Sequence, residues 1–129
     1  RTDMAKRQTL EIPGVHHGAP IPMGARVGNV LHSSAIMGAD PATGKVPPDG
    51  AEQVRLMFTN LRTLLELGGA TPDDIVFMNV LLKDNTLRDE VNKHWLAMFP
   101  DENDRPARHT TRVDLQGDML AQVEIMAVI

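Results

Sequence analysis

"RPARHTTRVDLQGDMLAQVEIMAVI" (residues 105–129) ends this chain, and the way it pairs decides the fold. Apolar and polar residues alternate on both sides of Gln116-Gly117-Asp118, which predicts two strands, about 107–115 and 119–128, joined by a turn. Alternation puts Arg108, Thr110 and Arg112 on one face of the first strand, with His109, Thr111 and Val113 on the other. On the last strand Leu120, Gln122, Glu124 and Met126 share a face, opposite Ala121, Val123, Ile125 and Ala127. A three-residue loop bending at Gly117 predicts a hairpin that pairs Thr110 with Glu124 and Arg112 with Gln122. Arg108 is then diagonal to Glu124, within reach of a long side chain. A two-residue loop sets Arg108 against Val123 and Ile125, a poorer match. The polar face has two readings. It is either a solvated ladder of charge pairs worth little in stability, or a pocket where a guanidinium grips a carboxylate and an amide or carboxylate positions water.

Upstream, "DIVFMNVLL" (74–82) is a near-continuous apolar run and predicts a strand buried on both faces. A helix precedes it. Val54, Met57, Phe58, Leu61, Leu64 and Leu65 form one apolar stripe, Asp49 and Glu52 resemble a capping box, and Gly68-Gly69 supplies the stop. A second helix starts near Thr86, carries Leu87, Val91, Trp95 and Met98 on one stripe, and ends at Pro100. "VGNVLHSSAIM" (27–37) predicts a further strand, followed by the turn-rich loop "GADPATGKVPPDG". Residues 1–26 carry Pro13, Pro20 and Pro22 and read as irregular, with short extended pieces but no helix. Within them, residues 1–18 read as an N-terminal extension, and "RTDM" at its start is set aside from fold reasoning. The expected architecture is a single α+β domain, a mixed sheet with two helices on one face. The other sheet face needs water or a partner, for which a homo-oligomer is the economical answer.

Composition narrows the function classes. The chain has 129 residues, 42% hydrophobic and 23% charged, an ordinary globular balance. A net charge of −4, no Lys/Arg run and only 3% aromatic residues argue against a nucleic-acid surface. The absence of cysteine removes disulfides, thiolate metal sites and Cys nucleophiles together. No apolar run approaches the roughly 18 residues of a membrane helix, no signal segment is seen, and a cytoplasmic location is expected. Histidine spacing suggests no metal site.

Several motifs together resemble the RidA/YjgF family. "RVGN" leads into a Ser-containing strand, and "DPATG", "EQVRLMFTNLRTLLELGGATPDDIV", "LKDNTLRDEVNKHW", "PAR" and the terminal "VEIMAV" follow in the family's order over about residues 19–128. The resemblance implies a chorismate-mutase-like fold and a homotrimer with a ligand cleft at each subunit interface. It also implies hydrolysis of reactive enamines and imines, such as 2-aminoacrylate, to a 2-oxo acid and ammonia, with no cofactor. By the same resemblance Arg108 meets the substrate carboxylate and Ser33 lines that end of the cleft. Asn92 stands near it on the second helix. Thr110 offers its backbone where many members carry Cys.

Two departures from the family pattern bear on chemistry. Gln122 stands where active imine deaminases have the water-orienting Glu, while Glu124 matches a second, less critical acid. A glutamine holds water through its carbonyl but cannot take a proton. Ile21 stands where the family has a cleft Tyr, which implies a more open and differently selective pocket. His16, His17, His32 and His109 are candidates for a compensating base, although alternation turns His32 and His109 away from the faces of Ser33 and Arg108. Two alternatives stand beside the general deaminase: an aminomuconate-type deaminase of aromatic catabolism, and a non-catalytic trimer that binds a small carboxylate-bearing metabolite.

Overall fold

The apolar run IVFMNVLL forms the strand around which the sheet is built. The computed structural model describes residues 5–129, so the expectation for RTDM lies outside the described residues. In chain order the strands are β1 (Arg7–Leu10), β2 (Gly24–Val27), β3 (Val30–Ser33), β4 (Ile36–Met37), β5 (Ile75–Leu82), β6 (Ala107–Arg112) and β7 (Ala121–Val128). Helix α1 (Gly50–Leu67) precedes β5, and helix α2 (Arg88–Met98) follows it. The strands form one mixed sheet in the order β1-β2-β3-β7-β5-β6, with β4 also paired to β7. This is the expected α+β layer.

The terminal hairpin does not form. β5 lies between the two last strands, pairing parallel with β6 and antiparallel with β7. Its register sets Met78 beside Arg108, Asn79 beside both His109 and Glu124, and Leu81 beside Gln122. The pairing of Thr110 with Glu124 and of Arg112 with Gln122 is therefore corrected. The physical reason is burial. β5 carries no charge and takes the interior place, whereas ARHTTR carries two arginines and is left at the edge. The parallel β5–β6 pair needs a crossover, and α2 supplies it. The chain then arcs over the end of β5, where the Val113 N–H donates to the Leu82 carbonyl (2.9 Å) and the Lys83 N–H to the Leu120 carbonyl (3.1 Å).

Other boundaries move too. The strand predicted over 27–37 is divided, because Gly28-Asn29 turns β2 into β3 and the chain breaks again after Ser33. β1 pairs with β2, so the sheet reaches into the stretch read as an irregular extension. On β5, Met78, Val80 and Leu82 are buried while Phe77, Asn79 and Leu81 are half-buried, so burial on both faces is met on one face only.

The buried face is covered as the periodicity of α1 predicts. Val54, Met57, Phe58, Leu61, Leu64 and Leu65 are all buried, and each large side chain contributes about 1.5–3 kcal/mol. Gly69 takes φ +76° at the helix end, and the Gly68, Gly69 and Ala70 N–H groups satisfy the last carbonyls. The capping box at the other end is absent. Asp49 makes no side-chain cap, and Glu52 is held instead by Arg55 one turn on. Two buried amides on α1 tie the loops down. Gln53 donates to the Pro47 and Asp118 carbonyls (2.8 and 2.9 Å) and accepts from the Leu120 N–H (2.9 Å). Asn60 donates to the Met37 and Ala39 carbonyls (3.0 and 2.9 Å). Gln53 thereby fixes the arc that leads into Gln122.

α2 docks on α1 partly through His94, stacked on Phe58 with ring centroids 5.3 Å apart. Burial first, then the charge of Lys93, hold this imidazole below its ordinary value of 6.5. Below that value the unfolded chain binds a proton that the folded chain resists, so this contribution is present above about pH 6.5 and lost as pH falls. The urea midpoint is expected to drop between about pH 7.5 and about pH 5.5, and to drop less in His94→Leu. Equal drops in the two proteins would rule His94 out as the cause.

Candidate functional site

Arg108, half-buried on edge strand β6, is held in place from two sides. Its Nε donates to Thr110 Oγ1 (2.8 Å), and its guanidinium carbon lies 5.1 Å from the ring centroid of Trp95. Trp95 is itself braced edge-on by Phe99 at 4.8 Å. Burial first, then the charge of Arg88, push the Arg108 guanidinium below its ordinary range. Among the described residues the ion pairs are Arg55–Glu52 and Lys93–Glu90, and Arg108 takes part in neither. A braced, partly desolvated guanidinium with no carboxylate partner among the described residues is well prepared to receive an anion. Asn92 is half-buried on α2, one turn before Trp95.

Gln122 and Glu124 are elsewhere. Arg108 and Thr110 stand beside buried Met78 and Val80, on the sheet face that the helices cover. Gln122 and Glu124 stand beside Leu81 and Asn79, on the open face. The expected grouping of all four on one face is corrected: inserting β5 between the strands places the two pairs on opposite faces of one protomer.

On the open face Glu124 Oε1 accepts from Asn79 Nδ2 (2.8 Å), while Asn79 Oδ1 is buried without a partner. Sequence reasoning missed Asn79, although a lone amide inside IVFMNVLL was a signal. Gln122 Nε2 donates to the Met119 sulfur (3.1 Å), leaving its carbonyl oxygen as a water acceptor. Gln122 also borders a cavity of about 790 Å³ lined in part by His16, His17, Lys45, Asp114 and Asp118. This cavity adjoins Gln122 and does not include Arg108, so a single protomer does not enclose both halves of the expected site.

The remaining candidates have clear surroundings. Ser33 is buried, and its Oγ accepts from the Ile125 N–H (2.8 Å), bridging the ladder where β3 leaves β7. In one protomer that oxygen serves the sheet. Ile21 is 50% exposed in the segment before β2. His32 and His109 lie off the faces of Ser33 and Arg108, as alternation predicts. His109 packs edge-on against Phe77 at 5.8 Å, and His32 Nδ1 lies 2.8 Å from the Ser33 carbonyl oxygen. Among the described residues, no helix is long and apolar enough to cross a membrane.

The family described as Endoribonuclease L-PSP matches residues 20–129. The 2-iminobutanoate/2-iminopropanoate deaminase of Escherichia coli K12 is 33% identical over 111 residues, covering 84% of this chain and 87% of that protein. Among solved structures, the YjgF gene product of E. coli superposes with a TM-score of 0.82 at 31% identity, over 94% of this chain and 98% of that one. RidA from the Antarctic bacterium Psychrobacter sp. PAMC 21119 gives 0.86 at 25% identity, over 95% and 99%.

Proposed function

This chain belongs to the RidA/YjgF family, and from that premise we propose that it hydrolyses enamine or imine intermediates bearing a carboxylate, releasing ammonia and a 2-oxo acid. The observation that carries this reading is Arg108, braced by Trp95 and Thr110 and without a carboxylate partner among the described residues. The E. coli relative is named for the same substrate class, 2-iminobutanoate and 2-iminopropanoate.

In this reading the site forms between copies. Arg108 of one subunit meets the Gln122 face of the next, in a homotrimer closed head to tail. The open face supports this, with half-buried Phe77, Leu81 and Met126 and the orphaned Asn79 oxygen needing cover. Arg108 binds the carboxylate, with Asn92 and Ser33 shaping that end. The imine carbon is already electrophilic, so the site chiefly orients substrate and water. Gln122 accepts a hydrogen bond from water and aims its oxygen at that carbon. The water oxygen bonds to that carbon as the C=N π bond opens onto nitrogen, both water protons pass in turn to nitrogen, and the C–N bond breaks as the C=O forms, giving ammonia and the 2-oxo acid. Gln122 cannot carry those protons, so they move through Glu124, solvent or the substrate itself. The Thr110 backbone meets the substrate nitrogen.

Ammonia release from freshly generated 2-aminoacrylate tests the reading. Acceleration by the protein, competed by a 2-oxo acid, is the expected result. Tight binding of 2-oxo acids without acceleration would favour the second reading, a carboxylate-binding trimer, for which the exchange of an acid for Gln122 is the motive.

A further inference from the structure

α2 carries a second arginine, on the helix stripe that ends at Trp95. Arg88, Asn92 and Trp95 lie at i, i+4 and i+7, one stripe of the helix, and the last of them is the ring against which Arg108 rests. Arg88 is exposed at the first turn, where the helix dipole adds positive potential. It is near enough for its charge to act on Arg108. Among the described residues, neither arginine joins the Arg55–Glu52 or Lys93–Glu90 pair. The carboxylates closest in sequence do not neutralise it: Glu90 is turned to Lys93 at 3.7 Å, and Asp89 is exposed to solvent.

Two like charges near enough to act on one another leave a patch that favours anions. A monocarboxylate relieves only one of the two charges. A dicarboxylate relieves both, with one group on Arg108 and the other at the helix start, and the amide of Asn92 stands between them on the stripe. We propose that Arg88 is a second anion-binding residue of this site and that the preferred substrates are imines or enamines of dicarboxylic acids. This deepens the deaminase reading and rests on Arg108 as its carboxylate clamp. A planar guanidinium matches a carboxylate with two parallel N–H···O bonds, so a terminal carboxylate suits Arg88 better than a hydroxyl or amide does.

The test compares two stable 2-oxo acids by calorimetry on the intact protein: 2-oxobutanoate with one carboxylate, and 2-oxoglutarate with two. The wild type is expected to bind 2-oxoglutarate about tenfold more tightly. In Arg88→Gln that ratio falls to about one, and Arg88→Lys restores part of it. A merely structural role for Arg88 would weaken both ligands together and leave the ratio unchanged. A wild-type ratio near one, or a ratio unmoved by Arg88→Gln, overturns the proposal while leaving the deaminase reading intact if ammonia is still released from 2-aminoacrylate. A clear ratio without any deamination keeps Arg88 in a dicarboxylate-binding site and removes the hydrolysis. Failure to bind either acid overturns the proposal, and removes the deaminase reading too if no ammonia is released.

Discussion

Replacing Arg108 by alanine is expected to lower kcat/KM for 2-aminoacrylate hydrolysis by roughly 100-fold, the order associated with losing a charge-assisted bidentate contact. The thermal midpoint should move little, because Arg108 lies on an edge strand and pairs with no acid among the described residues. Arg108→Lys should recover only part of the loss. An ammonium provides the charge, but it lacks both the fork that fits a carboxylate and the flat surface that rests on Trp95. Steady-state ammonia release with the three proteins checks this. An unchanged kcat/KM in Arg108→Ala would mean that the guanidinium only packs on the tryptophan.

The second large effect concerns the fold. Gly38 follows β4 directly beneath α1, and a Cβ built there would stand 2.0 Å from the Gln53 carbonyl oxygen and 2.7 Å from its carbon. Both are helix backbone, so no side chain can swing aside. Gly38→Ala therefore pushes α1 off the sheet and strains the bonds of Gln53 to the arc before β7. A loss of about 3 kcal/mol or more is expected, seen as a fall of roughly 10 °C in Tm. Gly18→Ala is the control, since nothing lies within 4 Å of that position, and it should stay within about 0.5 kcal/mol. Equal midpoints for the two variants would show that the sheet and α1 yield more easily than the geometry requires.

What could be read from the sequence divides along physical lines. The helices were legible because their apolar stripes repeat at a fixed local interval, and all six stripe residues named on α1 are buried. β6 and β7 were legible from their alternation and β5 from its apolar run, whereas β1 and most of β2 lay in the stretch read as irregular. Strand partnership was not legible, because alternation fixes which residues share a face but says nothing about which strand lies alongside. The order β7-β5-β6 follows from the uncharged IVFMNVLL competing for the interior against a strand with two arginines. That comparison needs the whole sheet in view, while a glycine turn between two alternating strands suggests a hairpin locally. Gly28-Asn29 gave a shorter-range signal, a two-residue turn between Val27 and Val30, and it was the better guide to a hairpin.

The site shows the same division. Arg108 stood out because a charged residue in a strand demands a reason. Trp95, read as core, serves also as the platform for that guanidinium, a contact 13 positions away in sequence that no periodicity announces. Gln53 and Asn60 were hidden within an amphipathic helix, and Asn79 within an apolar strand. Each acts through backbone carbonyls or a side chain brought close only by the fold.

Arg108 and Gln122, on opposite faces of one protomer, are expected to complete a site only between copies. Mixing tests it most directly. Arg108→Ala and Gln122→Ala proteins, each with strongly reduced ammonia release, are unfolded together and refolded in equal amounts. In a head-to-tail ring a site with both native side chains then arises at roughly one interface in four, so about a quarter of the wild-type rate should return. A rate no higher than the mean of the two variants refolded separately would contradict a shared site and place the chemistry within a single subunit.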